Sequence, residues 1–190
     1  MILPSFRRPS PVSRYQKLIA RKLARRFGEV EVADEWRAFS RDDPWYGPRL
    51  DVVVGPFATT QSLADEYDRM EAIHRRFLEG LWAHHLENLR LYGSDVTHEV
   101  FAGAFARNSN ARCFIAIEIE NAGSRKHLMG GALNAAALGR VALAVGWRPH
   151  NVRSFVRLRS YFKFLNDVDK PSFPTSHLLI LSKDQLLESC

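Results

Sequence analysis

Cysteine is nearly absent from this chain of 190 residues: Cys113 lies inside an apolar run and Cys190 at the far end. Two thiols so placed form no disulfide framework, which excludes a small stapled scaffold and suits a reducing, cytoplasmic setting. No apolar run approaches the roughly 18 residues of a membrane helix, so no membrane span is predicted. Only Met1, Ile2 and Leu3 precede Pro4, too little for a secretory signal. No Walker loop and no G-x-G-x-x-G occurs, which leaves a nucleotide cofactor without a motif. His74, His84 and His85 fall in no His-Glu-x-x-His arrangement and read as surface or satisfied core side chains. Acid is the minority charge, 21 Asp plus Glu against 27 Lys plus Arg, and the net +6 suits a polyanionic partner. The Arg-rich, acid-poor first 28 residues also share the composition of an organellar transit peptide, a lesser reading beside a basic helix.

What is present is ordinary for one globular domain, with 46% hydrophobic and 25% charged residues. The chain divides into an irregular arm over residues 1–12, marked by Pro4, Ser5, Pro9, Ser10 and Pro11, and a single domain over 13–190. The informative stretch is Cys113 to Asn121. Ile115, Ile117 and Ile119 alternate with Phe114, Ala116, Glu118 and Glu120, a strand period that puts the two glutamates on one face. Carboxylates in an apolar strand need compensation. They are either surface glutamates paired with Arg125 or Lys126, or part of a divalent-cation site.

Before this strand, Tyr15, Ile19, Leu23 and Phe27 recur every four residues while Arg14, Lys17, Arg21 and Arg25 share another face. That is an amphipathic basic helix, capped by Ser13 and ended by Gly28, whose basic side is a solvated face or a contact to a nucleic-acid backbone. Glu29–Val32 begins a strand that bends toward Phe39; residues 40–49 are turn-rich; Leu50–Gly55 is a short β-branched strand with Asp51 at its entry. Residues 62–92 carry a helical pattern with a break, and residues 93–111 a loop with a short helical piece. After the acidic strand, Ser124 caps a helix over 125–138 made slim by Gly130, Gly131, Ala132, Ala135, Ala136 and Ala137, which lets it approach a sheet closely. A buried strand over Arg140–Trp147 follows. The helix over 151–166 has Leu158, Tyr161, Phe162 and Leu165 inward and Arg153, Arg157, Arg159 and Lys163 outward, and the last strand covers Ser176–Ser182.

The order of elements and acids, Asp51 opening one strand and Glu118-x-Glu120 on the next, resembles the restriction-endonuclease-like superfamily, the PD-(D/E)XK nucleases. The resemblance implies an α/β fold with a central mixed sheet of about five strands flanked by helices. It implies metal-dependent phosphodiester hydrolysis, in DNA, with Asp51, Glu118 and Glu120 around Mg²⁺ or Mn²⁺. Glu120 stands where the family most often has lysine, the acid-x-acid form that some restriction enzymes use. The lysine's part would pass to Glu120 or to Lys126, and otherwise the fold would be present without activity. Oxygen donors suit Mg²⁺ independently of the resemblance, and residues two apart on a strand, about 7 Å between Cα atoms, can converge on one ion. Arg125, Lys126 and His127 could hold phosphate at the helix start, and Arg14, Lys17, Arg21, Arg25, Arg153 and Arg157 a nucleic-acid backbone. The alternative is an inactive nucleic-acid-binding or assembly module. A sugar hydrolase using the paired acids lacks a nearby aromatic cluster for stacking. Superfamily members often form homodimers; Trp36, Trp45 and Trp82 could serve such an interface or the core.

Overall fold

The computed structural model describes residues 9–38, 47–58, 61–170 and 174–190. Five strands form one mixed sheet in the order β1-β2-β3-β4-β5, flanked by six helices among the described residues. β1 (Val32–Arg37), β2 (Arg49–Val54) and β3 (Cys113–Glu120) are antiparallel neighbours; β4 (Gly139–Gly146) and β5 (Leu178–Ser182) continue parallel to β3. The parallel half is joined by crossover helices: α4 (Arg125–Leu138) between β3 and β4, and α5 (Pro149–Asp167) between β4 and β5. This is the α/β fold with about five strands that alternation of strand and helix patterns predicts.

Strand period decides which side chains meet which layer. Val52, Val54, Ile115, Ile117, Val141, Leu143, Leu179 and Leu181 pack in one cluster with α1 (Pro11–Arg26), α2 (Ala64–Ile73), α3 (Arg75–Leu91) and α6 (Lys183–Ser189). Val53, Ala116, Ala142, Ala144, Leu178 and Ile180 pack in the other with α4 and α5. Every residue of β4 is buried, as a central parallel strand covered on both faces requires. The small residues of α4 do bring it close to the sheet, so that a Cβ on Gly131 would lie 3.5 Å from the Cβ of Glu118.

Several local expectations need correction. Ser10, not Ser13, caps α1, because Pro11 can occupy the first helical turn without a donor and the Ser13 N–H donates to Ser10 Oγ at 3.1 Å. Ser124 precedes α4 without a side-chain capping bond. Helix α5 buries Val152, Phe155, Val156 and Phe162 and packs Leu158 and Leu165 against the same cluster as expected, while Tyr161 is exposed and Arg159 turns in to a paired contact with Glu99 at 2.7 Å. Helix α6, seven residues that dock through Leu186 and Leu187, is too short to show a repeating pattern in the sequence. The predicted break in the long helical segment falls at His74.

The free edge of β5 is closed by side chains instead of a strand. His85 Nδ1 accepts the Ile180 N–H at 3.0 Å, and Asn88 Nδ2 donates to the Ile180 carbonyl at 2.9 Å, both from α3. Burial pushes His85 down to about 3, which keeps the ring neutral and able to accept. Trp82 is core, edge-on to Phe101 and Phe105, and Trp36 stacks on Phe57. Trp45 lies outside the described residues.

Candidate active site

Asp51 and Glu118 come together because their strands are neighbours and their register is fixed. The ladder pairs Val52 with Ile117 and Val53 with Ala116; one step further, where the ladder ends, Asp51 lies beside Glu118. On the other side of β2, the register of Asp34 with Val52 and Trp36 with Leu50 places Glu35 opposite Asp51. Three carboxylates are therefore neighbours across β1, β2 and β3, with Glu118 lying against α4 and Glu35 exposed at the β1 side. Asp51 sits where β2 and β3 part: their last ladder pair is Val52 with Ile117, and Asp51 Oδ2 accepts the Ile119 N–H at 2.7 Å in place of further ladder bonds.

Burial sets the electrostatics of the row. It raises Asp51 to about 6 against the bond from Ile119, with Glu35 and Glu120 adding repulsion and Arg49 opposing it. Glu118 is pushed further, to about 9, first by burial and then by the charges of Asp51, Glu120 and Glu35, again opposed by Arg49. In both groups burial, with the neighbouring carboxylates, favours the protonated form. Glu118 Oε1 is buried with no hydrogen-bond partner among the described residues. Such an orphaned atom, in an all-carboxylate donor set, fits a hard cation such as Mg²⁺.

Glu120 turns outward, and its Oε1 accepts the Ala122 N–H at 2.6 Å. With Asp51 held by Ile119 and Glu120 by Ala122, no group of three or more His, Cys, Asp or Glu is arranged to hold a metal ion among the described residues. Asp51 and Glu118 are brought together, while Glu120 is held away by its bond from Ala122.

The surroundings are basic. β3 and β4 both end at this side of the sheet, and α4 and α5 both begin there, tied by the Trp147 N–H donating to the Glu120 carbonyl at 3.0 Å and Asn151 Nδ2 donating to the Ala122 carbonyl at 2.9 Å. Arg125, Lys126 and His127 are exposed in the first turn of α4, and Arg153 and Arg157 along α5. Arg14, Lys17, Arg21 and Arg25 are exposed on α1, which packs on the opposite face of the sheet from the acids.

Two members of this site were missed in the sequence, Glu35 and Arg49. Arg49 Nη1 lies 2.6 Å from Glu35 Oε2. A signal for Glu35 lay in the hairpin register, which sets it opposite Asp51 and which a turn-rich connection concealed. No helix among the described residues is long and apolar enough to cross a membrane. No family model, no curated protein and no solved structure matches this chain.

Proposed function

We propose that this protein is a metal-dependent nuclease of the restriction-endonuclease-like kind, hydrolysing phosphodiester bonds in DNA. The observation that carries the reading is the cross-strand pair Asp51 and Glu118, pressed together in a partly buried row with one carboxylate oxygen unsatisfied. Holding repelling carboxylates out of water costs several kcal/mol, and a cation is the economical compensation. Asp51, Glu118 and Glu120 would hold Mg²⁺ or Mn²⁺. When bound, such an ion supplies charge compensation for the acids and the phosphate and acidifies water.

The chain's own groups account for the remaining needs. The site lies at the carboxyl ends of β3 and β4, where open α/β sheets place their ligands. The start of α4, which has no side-chain cap, offers backbone N–H groups and the positive end of a helix dipole to phosphate oxygens, reinforced by Arg125, Lys126 and His127. Glu120, the acid nearest the surface loop, can take the proton as water attacks phosphorus; Lys126 can protonate or screen the departing oxygen. DNA as substrate, a homodimer and a cytoplasmic setting belong to the same proposal.

Incubation with plasmid and single-stranded DNA in Mg²⁺, Mn²⁺ or EDTA tests it. Cation-dependent nicking that disappears in Asp51→Ala and Glu118→Ala supports the reading. Salt-sensitive DNA binding without cleavage would instead support a binding module on this fold.

A further inference from the structure

We propose that α1 is a second nucleic-acid contact, a track for the phosphate backbone on the opposite side of the sheet from α4 and Glu118, independent of whether the acids cleave. The net charge of the chain is concentrated there. Arg14, Lys17, Arg21, Lys22, Arg25 and Arg26 fall within its 16 residues, and the helix contains no acid. Removing those six from the 27 Lys plus Arg leaves 21, equal to the 21 Asp plus Glu, so the +6 is the charge of this one helix. Three other helices match surface cations with acids, Arg69 with Glu66, Arg75 with Glu79 and Lys163 with Asp167. None of the six on α1 is in an ion pair among the described residues.

Four of the six form one exposed stripe. Arg14, Lys17, Arg21 and Arg25 are three or four residues apart, so they project to one side over about 16 Å of helix. Arg26 is engaged elsewhere, donating to the Ser189 carbonyl at 3.2 Å and lying over the Phe77 ring, and Lys22 is half-buried. Asp34 of β1 borders a groove with Lys17 and Arg21 but pairs with neither among the described residues. Like charges at this spacing repel and weaken a helix, so a polyanion that neutralises them is the fitting partner. A duplex carries about one negative charge per 1.7 Å of its axis, enough to meet every cation of the stripe, and three of the four are guanidiniums suited to phosphate oxygens. An anionic bilayer fits less well. Ile19, Leu23 and Phe27 are buried in the core, which leaves α1 no apolar face to enter lipid. Because the sheet separates α1 from α4, the backbone held at α1 is a different stretch from the one beside Glu118.

The test reads binding and cleavage separately. Affinity of the full chain for a labelled DNA duplex is measured against salt in EDTA, with thermal melting to confirm that each variant is folded. Neutralising the stripe with Arg14→Gln, Lys17→Gln, Arg21→Gln and Arg25→Gln together should lower the slope of log affinity on log salt by about 3.6, the share of four phosphates. The pair Lys17→Gln and Arg21→Gln should lower it by about 1.8. A comparison variant, Arg69→Gln with Arg75→Gln and Lys163→Gln, removes exposed charge from other helices and should leave the slope unchanged. With Mg²⁺ and saturating duplex, kcat of the stripe variants should equal that of wild type. An unchanged slope in the folded pair, or an equal fall in the comparison variant, overturns the inference. So does a stripe variant that loses only its capture by phosphatidylserine vesicles, which would make the partner a lipid surface, or one whose kcat falls as far as that of Glu118→Ala, which would join α1 to the acid site. Should the wild type cleave nothing while the stripe variants lose the slope, the nuclease reading falls and the α1 contact stands.

Discussion

Replacing Glu118 by glutamine should stabilise the protein near neutral pH, although it removes the residue on which activity is proposed to depend. In the folded chain the Glu118 carboxyl ionises at about 9, against an ordinary value of 4.5. Below pH 4.5 it carries a proton whether the chain is folded or not, and has no effect on the balance. As pH rises beyond that, the unfolded chain loses the proton and the folded chain keeps it. The unfolded state then binds fewer protons, so stability falls with pH until about 9. At about 1.36 kcal/mol per unit, the roughly two and a half units between 4.5 and neutrality amount to about 3 kcal/mol. Asp51, raised from 3.8 to about 6, adds a loss of the same sign over its own lower window. Glutamine keeps the shape of the side chain and cannot ionise. Urea unfolding of wild type and Glu118→Gln, near pH 4.5 and near pH 7, reads the effect directly. The variant should match wild type at the lower pH and exceed it by about 3 kcal/mol at the higher. Parallel stability curves, or a variant less stable at neutral pH, would refute the electrostatic account. Mg²⁺ at about 100 times its Kd should return about 2.7 kcal/mol to wild type and nothing to the variant.

The scaffold makes further predictions. Arg140 is buried beneath α2, paired with Asp68 and with Glu71 at 2.6 Å, and Arg140→Ala should cost about 3 kcal/mol in urea unfolding. Asn88→Ala strips the β5 edge of the donor to the Ile180 carbonyl and should cost about 1 to 3 kcal/mol, with faster aggregation on heating. A Cβ on Gly146 would lie 2.6 Å from the Val152 backbone nitrogen, whereas one on Gly130 meets nothing within 4 Å. Thermal melts should therefore show Gly146→Ala destabilised by about 1 to 3 kcal/mol and Gly130→Ala stabilised by about 0.5 to 1.

Much of this architecture can be read from the residues because local pattern and tertiary demand agree. The alternating isoleucines of β3 and the small residues of α4 are each explained by one surface, and helix α4 runs over the expected 125–138. Placing Asp51 beside Glu118 required only that two short apolar strands be neighbours. Glu35 was invisible for the opposite reason: it enters through the hairpin register and a left-handed backbone, neither of which leaves a periodic trace. Arg159 shows the limit of reading a helix by its charges, since a basic side chain on α5 turns inward once Glu99 offers a paired acceptor on a separate loop. Likewise His85 and Asn88 sit on the helical pattern as ordinary polar residues, and only the exposed edge of β5 gives them work.

Direct titration of Mn²⁺, followed by the loss of its free electron paramagnetic resonance signal, bears most closely on the cation site. Wild type should take up the ion at a site that Asp51→Asn and Glu118→Gln each abolish, and Mg²⁺ should displace it. Uptake that survives both substitutions, or a wild type that leaves the signal untouched, would contradict the assignment of these acids to a metal centre.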